Sequence, residues 1–244
     1  MISPVVIFFL VAFGVVFVVL VVIDRTVGPR PVPDLAEEPR REALEPVFDE
    51  DRRILATIET ELAKAVRSEP GMLAAVLDRH GSQDEDGWTP LIEPVSWDAE
   101  AIRRRFEAAA ADKRRAEASW PEVTDCDRLD AAFATLRSRS LLALAVEGDD
   151  PADAARAALA RSPEARAAVY YHLDEDVETA LRSGHLPLRW VSTEAREGSG
   201  PAGLATEVAQ ALRAEGLVVR PQPGGLDVEL EWRRRLGRPV TSSA

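Results

Sequence analysis

TDCDRLDAAFATLRSRSLLALAVEGDDPADAARAALARSPEARAAVYYHLDEDVETALRSGHLPLRWV, residues 124–191, switches repeatedly between helical and strand patterns. Cys126, Leu129, Phe133 and Leu136 recur at steps of three and four, which marks one face of a helix. Thr124 followed by Asp127 makes a capping box in its Asp form and sets the helix start. Leu141 to Val146 then reads as a strand, Asp150-Pro151 opens a helix through Ala160, and Ala167 to His172 reads as a second strand. Asp174 is placed to cap a short helix carrying Val177, Ala180 and Leu181, with Gly184 as its stop. Leu186 to Val191 is a third strand.

The pattern continues toward the C-terminus. A Gly- and Ser-containing loop at 195–200 leads to a helix from Pro201. Leu204, Val208, Ala211 and Leu212 form its inner face, and Gly216 ends it. Leu217 to Arg220 is a fourth strand, and PQPGG (221–225) is a turn. From Leu226 to Trp232 apolar and acidic residues alternate, which predicts a last strand paired with the fourth as a hairpin. Strands joined by helices predict an α/β domain over 120–236, with a mixed, largely parallel sheet, right-handed crossovers and flanking helices. The tail, 237–244, reads as frayed.

Trp120-Pro121 marks a break, and 51–119 reads as a helical segment. Ile54, Ile58, Leu62 and Ala65 share one helix face, Pro70 to His80 gives a second helix, and 98–118 a third. The basic runs 103–105 and 113–115 read as a solvated face paired with Asp98, Glu100, Glu107 and Asp112. Upstream, residues 24–50 hold Pro29, Pro31, Pro33, Pro39 and Pro46 and read as a semi-extended linker. Residues 2–23, ISPVVIFFLVAFGVVFVVLVVI, carry no charge. As a helix they reach about 33 Å, enough to cross a bilayer core of about 30 Å. A cleaved signal peptide calls for a basic start and a small-residue cleavage site, and neither MISP nor DRTVGPRPVPD supplies one. A transmembrane helix at 1–23 with the lipid bilayer as its partner is therefore predicted. Arg25, Arg30, Arg40 and Arg41 follow the run, which predicts an N-terminus outside and a cytoplasmic C-terminal domain.

Composition narrows the function classes. Among 244 residues, 30 Lys+Arg stand against 42 Asp+Glu, a net charge of −12. Free nucleic acid is an unsuitable partner for such a chain, whereas a basic protein partner is electrostatically favoured. One cysteine cannot build a disulfide framework. Cys126 lies on an apolar helix face between Asp125 and Asp127, a setting for a buried thiol and not for a thiolate nucleophile.

TDCDRLDAAFATLRSR (124–139), VYYHLDEDVETAL (169–181), ALRAEGLV (211–218) and LEWRRR (230–235) together resemble a bacterial family of unknown function, over roughly 120–236. The resemblance implies a domain of that family and carries no assigned reaction. Where that family usually has Gly-Tyr and Ser-Asp-Gly after the first strand, this chain reads AVEGDDPADAARA.

Two constellations merit chemical attention. His172, Asp174, Glu175 and Asp176 sit where a strand meets a helix, a common place for ligands in α/β sheets. His172 and Asp176 are the candidate acid–base pair of an enzyme alternative. SQDEDGWTPLIE (82–93) places Asp84, Asp86, Gly87 and Glu93 at the third, fifth, sixth and twelfth positions of a calcium-loop register, with Ser82 in the first. Pro90 and Pro94 oppose the helix that should follow such a loop, so a plain acidic loop is the stronger expectation. No G-x-S-x-G, Walker loop, G-x-G-x-x-G or H-E-x-x-H is present, so no catalytic residue or cofactor is assigned. The expectation is a single-pass membrane protein presenting a cytoplasmic α/β binding or regulatory module. The alternatives are an enzyme working near His172 and a calcium-responsive protein.

Overall fold

In the computed structural model, which describes residues 38–84, 87–90, 97–192, 201–238 and 240, the first helix, α1, spans Glu38–Lys64. This corrects the reading of 24–50 as a semi-extended linker without helix, from Glu38 onward. Pro39 falls in the first turn, where a missing N–H costs nothing, and good helix formers fill 40–45. The chain divides into two units, Met1–Pro46 and Val47–Ala244. Among the described residues no helix is long and apolar enough to cross a membrane, and the apolar run at 2–23 lies outside them.

The second unit opens with a helical cluster. Ile54, Ile58 and Leu62 of α1 pack on Met72 and Val76 of α2 (Glu69–His80) and on Ile102, Phe106 and Ala110 of α3 (Ala99–Glu117). Ser68 caps α2 and Asp98 caps α3, each accepting a backbone N–H in the first turn. The basic face of α3 is largely paired as read, with Arg103 and Arg104 on Glu100 and Arg115 on Asp112, while Arg114 reaches Glu69 of α2. Between α2 and α3, β1 (Gly81–Asp84) and β2 (Gly87–Pro90) pair as an antiparallel hairpin where an open acidic loop was expected.

Residues on either side of Trp120 lie in the same unit. The capping box of Thr124 and Asp127 is formed and starts α4 (Asp125–Ser138). There follow β3 (Leu141–Val146), α5 (Pro151–Ala160), β4 (Ala167–His172), α6 (Glu175–Ser183), β5 (His185–Ser192), α7 (Pro201–Ala214), β6 (Val218–Gln222) and β7 (Gly225–Glu229). The five strands form one mixed sheet in the order β3-β4-β5-β7-β6. Only β3 and β4 pair in parallel; β4–β5, β5–β7 and β6–β7 are antiparallel. The expectation of a largely parallel sheet is therefore corrected. Only 12 residues, 173–184, join β4 to β5, against 20, 147–166, between the parallel β3 and β4, and a parallel crossover needs at least about a dozen residues to return the chain. So β5 starts beside the end of β4 and runs the other way.

Burial follows from this order. β3 and β4 are apolar on both faces. Ala143, Val169 and Tyr171 join the main core under α4, α6 and α7, while Leu144, Ala168 and Tyr170 join a second core under α5. Leu186, Leu188, Leu226 and Val228 extend the main core along β5 and β7. Both sheet edges carry an occupied outward carbonyl. Arg137, in the last turn of α4, donates to Ala143 O at 3.1 Å, and Arg213, in the last turn of α7, donates to Val219 O at 3.0 Å. A left-handed residue separates each helix from its strand, Ser140 (φ 58°) and Gly216 (φ 84°). The tail read as frayed is tied down as far as residue 240, where Val240 N–H donates to Val66 O at 3.0 Å.

The β6–β7 hairpin forms as predicted, and Gly225 decides how closely β7 can approach β5. A Cβ there meets Leu188 O at 2.2 Å, backbone that cannot yield. Gly225→Ala is expected to destabilise the chain by about 3 kcal/mol in urea unfolding. Gly203→Ala, on α7 with nothing within 4 Å of the added methyl, is expected to stabilise by about 0.5–1 kcal/mol.

Candidate functional site

The two parallel strands deliver their carboxyl ends, Glu147-Gly148 and His172, to one corner of the sheet, and the end of α1 docks there. Its last residue, Lys64, is fully buried. Lys64 Nζ lies 3.3 Å from Glu61, 3.1 Å from Asp174 and 2.8 Å from Glu178. Arg67 joins Glu61 (3.2 Å), Asp174 (3.2 Å) and Glu147 (3.0 Å). The Trp232 indole N–H donates to the Lys64 carbonyl at 2.9 Å. Ala65 turns the chain out of α1 with φ 47°.

This is a dense ion cluster around a side chain that burial alone disfavours in charged form. Burial pulls the Lys64 pKa down, but Glu178, Glu61 and Asp174 outweigh it and hold it above its usual value. Asp174 mirrors this: burial raises its pKa, and Arg67 and Lys64 more than reverse that, leaving it below the carboxylate range. Both groups therefore stay ionised at neutral pH, and their attraction fastens the helical cluster to the sheet.

The sequence-predicted residues lie in the same corner with different tasks. Asp174 makes no side-chain cap on α6, because its carboxylate faces Lys64 and Arg67. His172 caps instead. Its Nδ1 accepts the Glu175 N–H at 3.0 Å, so the proton sits on Nε2, which donates to Gly148 O at 3.0 Å. Asp176 is 4 % exposed, accepts the His172 backbone N–H at 2.7 Å and is held by Arg189 at 2.6 and 3.1 Å. The structure thus brings His172 and Asp176 together through the backbone, while the imidazole nitrogens are both engaged elsewhere. In the 82–93 segment, Asp84 stands opposite Gly87 in the hairpin, whereas Asp86 and Glu93 lie outside the described residues. Among the described residues no group of three His, Cys, Asp or Glu could hold a metal ion. Burial pushes the Cys126 thiol up to about 12, against the opposing charge of Arg234, so it stays protonated.

An open groove runs along the outer face of α1. One part, about 880 Å³, lies between α1, the end of α2 and α6, and includes Arg53, Arg79, His80 and Arg182 over Ala56 and Thr60. A second part, about 390 Å³, lies toward α3, where Arg105, Asp112 and Lys113 stand beside Leu62, Trp120 and Trp232. Glu59, Ala63 and Leu181 line both parts, so the two are continuous. Thr57 Oγ1 donates to Arg53 O at 2.9 Å and lies 2.9 Å from His80 Nε2, which fixes the groove wall. Sequence reading missed both the cluster and the groove. The available signal was Glu61 and Lys64, one turn apart beside the apolar face of α1; Asp174, 110 positions from Lys64, carries no local mark.

Lys64→Ala removes the centre of the cluster and leaves Glu61 and the facing carboxylates short of a cation. A loss of about 3 kcal/mol or more is expected in urea unfolding. Lys64→Met combined with Glu61→Leu is expected to recover most of that loss. A single mutant as stable as wild type would remove the cluster's role.

Comparison with curated proteins and with solved structures gave no match for the chain. A family model described as a domain of unknown function (DUF6891) matches residues 48–236. That span takes in the helical cluster as well as the sheet, extending the resemblance read over 120–236 toward the N-terminus. It begins one residue after the second unit does, at Val47, and covers the charged corner and the groove. The chain belongs to this family, the domain of unknown function DUF6891.

Proposed function

We propose that the chain is a single-pass membrane protein whose unit from Val47 onward is a binding or regulatory module on the cytoplasmic side. The observation that carries this reading is the uncharged run at 2–23, long enough to span a bilayer and followed by Arg25, Arg30, Arg40 and Arg41. The open groove along α1 gives the module a place to bind, while both ring nitrogens of His172 and the carboxylate of Asp176 are committed to structure. The net charge of −12 favours a basic protein partner on the remaining surface.

The test is membrane fractionation of cells carrying the full chain with a C-terminal tag, followed by protease treatment of intact and opened cells. The tag is expected in the membrane fraction, resistant to alkaline wash, protected in intact cells and cleaved after opening. Release by the alkaline wash overturns the anchor. Cleavage in intact cells overturns the orientation.

A further inference from the structure

Lysine is scarce in this chain: among 30 Lys+Arg, Lys64 and Lys113 are the two lysines. Their settings are opposite. Lys64 Nζ has three carboxylates within 3.3 Å. Lys113 stands in the wall of the groove part toward α3, its side chain 12 % exposed, with Glu117 Oε1 at 3.5 Å. That oxygen already accepts the Leu236 N–H at 2.8 Å, so its hold on the ammonium is divided. Lys113 Nζ lies 4.7 Å from the centre of the Trp120 ring. Burial draws the amine below the ordinary lysine value, and Glu117 offsets this in part. A lysine so placed holds more of its neutral, nucleophilic form.

The cavity beside Lys113 is sorted by depth. Leu62 and Trp232 are buried, and Ala63, Ala109, Trp120 and Leu181 are half-buried. The charged residues Glu59, Arg105 and Asp112 are exposed and stand at the mouth. The volume of about 390 Å³ falls at the small end of the range of about 300–1,000 Å³ typical of small-molecule sites. An amine thus opens on an apolar, ring-sized space with indoles beside it. We propose that Lys113 binds a small aromatic aldehyde covalently and reversibly, as an imine.

The chemistry needs no partner beyond the aldehyde. Glu117 takes a proton from the Lys113 ammonium. The freed nitrogen pair attacks the carbonyl carbon, a C–N bond forms, and the π pair moves to oxygen. A proton passes from nitrogen to that oxygen. Glu117 returns its proton to the hydroxyl, the C–O bond breaks, water leaves, and a protonated C=N bond remains. The product is again a cation over the Trp120 face, and the aromatic body gains offset contact with the indoles. The proposal rests on reading the groove as the module's binding place and gives that place a ligand class.

The experiment treats the full chain with benzaldehyde and cyanoborohydride, which fixes imines as benzylamines, and maps adducts by mass spectrometry. Lys113 is expected to carry the adduct and Lys64 to stay unmodified. The rate at Lys113 is expected to saturate with benzaldehyde, to fall with excess benzyl alcohol, and to exceed the rate at the same residue in urea. Ala63→Trp, which fills the cavity, is expected to cut the benzyl adduct about tenfold while methylation of Lys113 by formaldehyde continues. Glyoxylate, a polar aldehyde, is expected to label Lys113 weakly. A rate that is linear in benzaldehyde, indifferent to benzyl alcohol and slower than in urea overturns the site. Equal labelling by glyoxylate overturns the aromatic class. Benzyl alcohol binding in the groove, read by saturation-transfer NMR, with no adduct at Lys113 keeps the binding place and overturns the imine.

Discussion

A buried lysine needs compensating charge, and Lys64 obtains it from two distant parts of the chain. Glu61 comes from its own helix, whereas Asp174 and Glu178 come from the segment after β4. Neither side can satisfy its charges alone without exposing the site to water. The contact therefore sets where α1 ends, how it lies on the sheet and how the groove beside it is shaped. Trp232, whose indole bonds the Lys64 carbonyl, extends this attachment to the chain after β7. Arg234, next to it in space, is buried and held by Asp130 of α4 at 2.8 Å, so the C-terminal segment is fixed from both sides.

The same corner explains why the residues that look most chemical in the sequence have structural tasks. A helix as short as α6 has few hydrogen bonds of its own, so its N-terminus depends on outside acceptors. His172 provides one through Nδ1. That frees Asp174 to face Lys64 and Arg67. Asp176 in turn locks the His172 backbone and Arg189 of β5 into one arrangement.

Most elements were legible because their signals are local. The capping box at Thr124 and Asp127, the alternation from Leu226 onward and the Pro-Gly-Gly turn each depend on neighbours within a few positions. Sheet order was less legible. Strands joined by helices suggest parallel pairing, but the direction of β5 depends on whether the whole connection from β4 is long enough to return the chain, a question of length and not of pattern. The start of α1 was misread because Pro39 and Pro46 dominate the composition; Pro39 falls in the first turn, where proline is compatible with a helix, whereas Pro46 falls inside α1, where it removes one backbone donor. The cluster itself was hidden because its parts are far apart in the sequence. The groove was hidden because its walls come from α1, α2, α3 and α6, far apart in the sequence.

The central claim is that the helical cluster and the sheet form one cooperative body held at Lys64. Native-state hydrogen exchange of the full chain tests it most directly. Amides of residues 54–64 in α1 are predicted to open with the same free energy as those of β4 and β5, in one global event. Opening of α1 at a free energy several kcal/mol lower, with the sheet still protected, would contradict the account.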